Sequence, residues 1–231
     1  MMSLKHIITG ILLFGLFSSS VKSQSRSSFH SGIYHSPGMK IICENDTCVS
    51  DKVVENRRIF GLPTKEEFCP SSINSYVQWG YVDSNAFLVI PPIYDEVSNF
   101  KNGLAVVGKC FHEEERFYRW HILPDGERLY EKNYVDVTSF HGAYAIADID
   151  GNFHKCHINK KGERIYSQTY IELDIFNENG KTLALKKVNL MTHKGLWVVI
   201  DTKGNELASG WGNYGYKNEP PKSLDVYLNK K

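Results

Sequence analysis

A pattern of about 40 residues returns along this chain, and that limits what it can fold into. Residues 78–95 read QWGYVDSNAFLVIPPIYD. Related strings follow at 119–136 (RWHILPDGERLYEKNYVD) and 155–172 (KCHINKKGERIYSQTYIE), with a fourth, partial copy at 196–207 (LWVVIDTKGNEL). A repeat of this length means small units packed on their neighbours. Position by position, Val82, Ile122, Ile158 and Ile200 share one buried-looking slot, and Gly126, Gly162 and Gly204 share a turn slot that Ala86 holds in the first copy. Ile90, Tyr130 and Tyr166 come next, followed by Tyr94, Tyr134 and Tyr170. Then come Val97, Val137 and Leu173, and finally Phe100, Phe140 and Phe176.

Each unit reads as β-structure. Aromatic residues make up 13% of the chain and suit a pleated surface. No window shows apolar residues at helical spacing. Leu123-Pro124-Asp125-Gly126 is a hairpin connection, with Pro presetting φ and Gly taking φ > 0. The flanking runs 117–122 and 128–130 are expected as short strands, with 104–109 and 143–148 as a third strand of their repeats. Ala86 predicts a first turn of different geometry. The expected fold is all-β: tandem antiparallel hairpin or meander repeats of about 36–42 residues stacked into an open, curved array.

The string W-G-Y-V-D at 79–83, followed by I-P-P-I-Y-D at 90–95, Phe100 and G-L-A-V at 103–106, resembles the WG (KWG) repeat family. The likeness extends over about residues 76–207. Its marker positions are Trp79, Gly80, Tyr94, Phe100 and Gly103 in the first copy. Later copies carry Gly126, Tyr134, Phe140, Gly162, Tyr170, Phe176 and Gly204. Those copies depart from the pattern. Trp120 and Trp197 are placed beside the Trp-Gly pair, Ala143 stands for Gly103, and Ile-Pro becomes Tyr130-Glu131 and Tyr166-Ser167. The resemblance implies an all-β array and no activity, because the family shares no catalytic residues.

Residues 1–23 have the layout of a secretory signal: Lys5, an apolar run of eleven residues at 7–17, then a small polar stretch. The run is shorter than the roughly 20 residues of a membrane helix. Cleavage is expected before Gln24, leaving no stable membrane insertion and a secreted, periplasmic or cell-surface protein. Residues 24–38 read as a flexible leader, 39–75 as a degenerate N-terminal cap or repeat, 76–209 as the repeats and 210–231 as a C-terminal cap or tail. Removing 1–23 leaves 25 basic and 26 acidic residues, and no basic stripe. Nucleic-acid binding is therefore not expected. Of five cysteines, Cys43 and Cys48 could close a small loop by a disulfide, and the odd count leaves at least one free thiol or an intermolecular bond. Asn45 opens a glycosylation sequon.

Nothing in the sequence assembles a catalytic or cofactor-binding set, and no cofactor or metal is expected. His112-Glu113-Glu114-Glu115-Arg116 lacks the second histidine of a zinc helix and reads as a solvated loop. Gly210-Trp211-Gly212-Asn213-Tyr214-Gly215 matches a dinucleotide motif by letter, but Pro220 and Pro221 oppose a following helix, so it reads as a last turn or cap. His121 and His157 share a slot with Tyr81 and Val199, which reads as a packing ladder. The aromatic rows read as core, or as a ligand stripe if one faces outward. The favoured expectation is a non-catalytic β-repeat scaffold for a protein or glycan ligand. The alternatives are a hydrolase or metal-dependent enzyme using His121, His154 and His157, and a cell-surface structural protein.

Overall fold

A computed structural model of the chain describes residues 33–34, 41–44, 47–51, 53–63, 77–215 and 218–229. The signal-like segment, Gln24, Asn45, Cys69 and most of the leader lie outside them. The described residues divide into two compact units. The first runs to Phe117 and takes in Ile122–Glu127; the second comprises Tyr118–His121 and everything from Arg128.

In the first unit β1 (Ile33–Tyr34), β2 (Ile41–Glu44), β3 (Thr47–Ser50), β4 (Arg58–Pro63), β5 (Val77–Val82), β6 (Leu88–Tyr94), β7 (Glu96–Ser98) and β8 (Ala105–Phe111) follow in order, and β9 (Arg116–Ile122) crosses the boundary. One sheet has the order β2-β3-β4-β5-β6 and another the order β1-β7-β8-β9. The N-terminal cap therefore continues the sheet of the first repeat, Arg58–Pro63 pairing antiparallel with Val77–Val82. Residues 24–38, read as a flexible leader, contribute β1, which pairs parallel with β7 through Ile33–Val97 and Tyr34–Ser98.

The second unit holds β10 (Asp136–Val137), β11 (Ala145–Asp148) and β12 (Lys155–Ile158) in one antiparallel sheet. A second sheet has β13 (Glu172–Leu173), β14 (Lys181–Asn189), β15 (Lys194–Asp201) and β16 (Glu206–Asn213) in that order. A five-residue helix, Asp225–Asn229, comes after it. No helix among the described residues is long and apolar enough to cross a membrane. Alternating burial marks β3 and β11 as one-sided, whereas β5 and β12 are covered on both faces. Those two hold the repeat's apolar slot. Val82, Ile122, Ile158 and Ile200 are all buried, as are Phe100 and Phe140, while Phe176 is half-buried.

Three sequence expectations need correction. Residues 128–130 form no strand; Leu129 N–H donates to the His121 carbonyl at 3.0 Å, and Tyr130 then turns inward to the His121 ring. The matching segment of the third copy behaves alike, with Ile165 N–H on the His157 carbonyl. The Gly210–Gly215 stretch is no terminal turn, because β16 runs to Asn213 across the boundary drawn at 209. The small residues there let Pro221 and the Glu219 carbonyl lie against the strand. Finally, the first-copy turn does not differ: Ala86 takes φ +63°, like Gly126 (+93°), Gly162 (+68°) and Gly204 (+80°).

The turns share one construction. The residue at the start accepts N–H from the φ > 0 position and donates to the carbonyl one residue further, as in Asp83–Phe87, Leu123–Glu127, Asn159–Glu163 and Asp201–Asn205. Where the first residue is Asp or Asn, its side-chain oxygen also takes the N–H groups two and four residues on, an Asx turn. Asp83 thereby holds Ala86 in a conformation that costs a Cβ-bearing residue about 1–2 kcal/mol.

The turn glycines answer a second demand. A Cβ on Gly162 would lie 2.6 Å from the Tyr130 ring, and one on Gly204 2.7 Å from Tyr166. Each turn thus packs on the ring of the preceding copy. Gly103, at φ +73°, has nothing within 4 Å of a Cβ. Gly103→Ala is therefore expected to lose about 1 kcal/mol from backbone strain alone. Gly162→Ala should lose that plus overpacking of about 1–3 kcal/mol. Urea unfolding of the two variants measures the difference, and equal losses would refute the packing role.

Candidate functional site

The deeply buried rings with a polar tip and a fixed partner belong to one slot of the repeat. Tyr81, His121 and His157 are at most 1% exposed. Each lies on the first strand of its copy, one residue before the Val82, Ile122 or Ile158 slot. Each sends its polar tip to a backbone carbonyl 17 residues on. Tyr81 Oη donates to Ser98 O at 2.6 Å, His121 Nε2 lies 3.0 Å from Thr138 O, and His157 Nε2 lies 2.9 Å from Asp174 O. A carbonyl only accepts, so Nε2 carries the proton in both histidines. That leaves each Nδ1 as an acceptor, and a tyrosine hydroxyl donates to it: Tyr130 at 2.7 Å and Tyr166 at 2.6 Å.

The identity of the residue nine positions on is a consequence. An imidazole has two nitrogens to satisfy, so His121 and His157 come with Tyr130 and Tyr166. A phenol has one hydroxyl, already used, so Tyr81 comes with Ile90. The rings close the core around these bonds. His157 stacks on Phe176 at 4.0 Å, His121 is tilted on Phe140 at 4.5 Å, and Tyr81 meets Phe100 edge-on at 4.9 Å. Tyr134 Oη donates to the Gly162 carbonyl at 2.7 Å, tying the second copy to the third.

Burial sets the electrostatics. Desolvation pulls both histidines down to about 4, against a smaller opposing effect from their carbonyl partners. The same desolvation lifts Tyr134 and Tyr170 to about 12, pushes Tyr81, Tyr130 and Tyr166 up, and raises the Cys156 thiol to about 11. These rings stay neutral near pH 7, and Cys156 stays protonated.

The sequence-derived candidates separate accordingly. The aromatic row Tyr94/Tyr134/Tyr170 is buried, as are Phe100 and Phe140 with Phe176 half-buried, so these rows form core and not an outward stripe. His154 does not join His157; it is exposed and pairs with Asp150 at 2.7 Å. Among the described residues no group of three or more His, Cys, Asp or Glu is placed to hold a metal. His112–Glu114 is a single 3-10 turn. Trp120 stands at the Gly80 position, but Trp197 does not stand beside the pair. Counted from the Val82/Ile200 slot it occupies the Trp79 position, and both are buried. Gly80 is needed where it stands, because a Cβ there would fall 2.3 Å from the Ile90 carbonyl. Cys43 and Cys48 are directly opposite in the β2–β3 pairing; the Cys43 side chain lies outside the described residues.

Residues 79–109 match the family model of the WG containing repeat, which spans the first copy from Trp79 to Lys109. No curated protein matches the chain significantly.

Two outcomes test the ring network. His157→Tyr alone should be destabilising, because Tyr166 already fills the space and its hydroxyl loses its acceptor, at a cost of about 1–3 kcal/mol. Adding Tyr166→Ile recreates the Tyr81–Ile90 pairing and should recover most of the loss; a double-mutant cycle without coupling would refute the correspondence. Acid should also weaken the fold. A neutral buried histidine binds fewer protons folded than unfolded, so stability is full above the unfolded value of about 6.5 and falls as pH drops towards about 4. The loss is up to about 3 kcal/mol per histidine. Urea titrations at pH 7 and 4.5 should show a smaller drop for the His157→Tyr/Tyr166→Ile variant than for the parent.

Proposed function

We propose that this protein is an exported β-repeat scaffold that holds a protein or glycan and performs no chemistry of its own. The observation that carries the reading is the use made of its ionisable rings. His121 and His157 are spent on internal hydrogen bonds and lie buried and neutral. A general base needs reach to a substrate proton. What the repeats present to solvent is their turns and strand edges, the usual material of repeat-protein recognition.

Export is supported by the N-terminal sequence and by the cysteines. Cys156 is a buried free thiol. The facing positions of Cys43 and Cys48 in the β2–β3 pairing support a bond between them. Disulfides of this kind persist in oxidising compartments.

The exported protein should begin near Gln24 on N-terminal sequencing, and alkylation of the denatured, unreduced chain should label Cys156 but neither Cys43 nor Cys48. An intact Met1, or labelling at Cys48, would overturn the export reading. The scaffold reading is tested by glycan-array and pull-down binding with the exported chain. Binding should survive the paired His157→Tyr/Tyr166→Ile change. Turnover of any substrate that depends on His121 or His157 would overturn it.

A further inference from the structure

The last strand of the second unit has an open edge. β16 pairs with β15 on one side, and the sheet order ends with it. The free side can be read from one contact. Asn213 exchanges both backbone bonds with Glu219 at 2.9 and 3.1 Å, and that segment is not β15. The N–H and C=O of Asn213 therefore point away from β15. Backbone direction alternates along a strand, so those of Trp211 and Ser209 point the same way. Neither has a partner among the described residues.

The stretch open to pairing runs from Leu207 to Trp211, since Gly212, just before the Asn213–Glu219 bridge, is buried. Its midpoint is Ser209. On either side of that midpoint stand two large apolar residues left in solvent, Leu207 (40% exposed) and Trp211 (53%). A Cβ on Gly210 or Gly212 would point at Pro221, so that face of the strand is covered within the unit, and Ser209 and Trp211 point to the other face. No Pro or Lys lies between 206 and 212 to guard the edge, and its one irregularity is a bulge at Leu207.

We propose that this edge pairs with the same edge of a second copy of the chain, antiparallel, with Ser209 on the two-fold axis. In that register Ser209 exchanges both backbone bonds with its own counterpart. Trp211 of each copy lies across from Leu207 of the other, an aromatic–aliphatic cross-strand pair formed twice. The same patch serves both copies, as a two-fold interface requires. Glu206, held by Lys186 at 2.5 Å, comes opposite Gly212, so no like charges meet. The bulge at Leu207, where the β15 register shifts between Val199 and Ile200, leaves the pairing of 208–212 with β15 regular. This proposal does not depend on the scaffold reading, since it concerns self-association alone.

Sedimentation of the full chain across a wide concentration range should show a monomer–dimer equilibrium. Ser209→Lys places two ammonium groups face to face on the axis, and Trp211→Lys removes the cross-strand pair. Both sites are exposed, and each change should weaken association at least tenfold while circular dichroism stays unchanged. Ser209→Cys should give a covalent dimer on mild oxidation, whereas the parent chain, whose Cys156 is buried, should not. A monomer at every concentration overturns the proposal. So does a dimer that persists in Ser209→Lys, or a dimeric Ser209→Cys sample that does not cross-link.

Discussion

The bond from the first-strand ring to the carbonyl 17 residues on is the constraint around which each full repeat is arranged. It spans 81 to 98, 121 to 138 and 157 to 174, so everything between must return the chain to the same place. The turn with its φ > 0 position, the inward residue nine positions along and the buried Tyr94, Tyr134 or Tyr170 all lie inside that span. The acceptor strand is fixed again from its far side. Ser98 Oγ and Thr138 Oγ1 accept the N–H of the residue eight on, and Thr182 Oγ1 donates to the Asp174 carbonyl. A buried polar ring left without its acceptor costs more than the bond itself contributes, so spacing inside the span is held more tightly than residue identity.

Packing between copies then depends on the turn. The glycine that relieves backbone strain is also the only residue small enough to lie on the preceding ring. Where Ile90 takes the place of that ring, a Cβ on Gly126 would sit at 3.3 Å, closer to ordinary contact than the 2.6 Å seen over Tyr130. The exchange of Ile for Tyr at this position thus changes two things together. It supplies a hydroxyl for the histidine, and it brings the ring hard against the next turn. At this contact the third turn approaches the second copy, and the fourth the third, more closely than the second turn approaches the first copy.

The period, the all-β character and the buried slots were legible because identical physical demands recur at identical spacing. The glycines at 126, 162 and 204 were readable for the same reason. Ala86 was not, since its conformation is imposed by the Asp83 carboxylate, and the signal lay in the Asp/Asn opening three of the four turns. The ring network was hidden because Tyr, His, His and Val share no class by composition; what unites the first three is one donor at similar reach. Its trace in the sequence was the pairing of His with Tyr, and of Tyr with Ile, nine residues apart. The strand status of 210–213 was obscured by glycines that match a turn by type, although here they serve close approach of Pro221 and the Glu219 carbonyl. The β1–β7 pairing left no trace, because two residues carry no period.

The fourth copy shows what happens when the polar slot is given up. Val199 replaces the ring, so no carbonyl is required 17 residues on. Its place in the core is made by Leu185, Trp197 and Leu224. Trp197 here recovers the Trp79 position that Arg119 and Lys155 occupy in the intervening copies. Leu224, from the 3-10 turn before the final helix, supplies apolar cover for this core. A terminal unit of this kind exchanges a directional bond, which needs a strand in one exact place, for apolar burial, which tolerates a helix or loop.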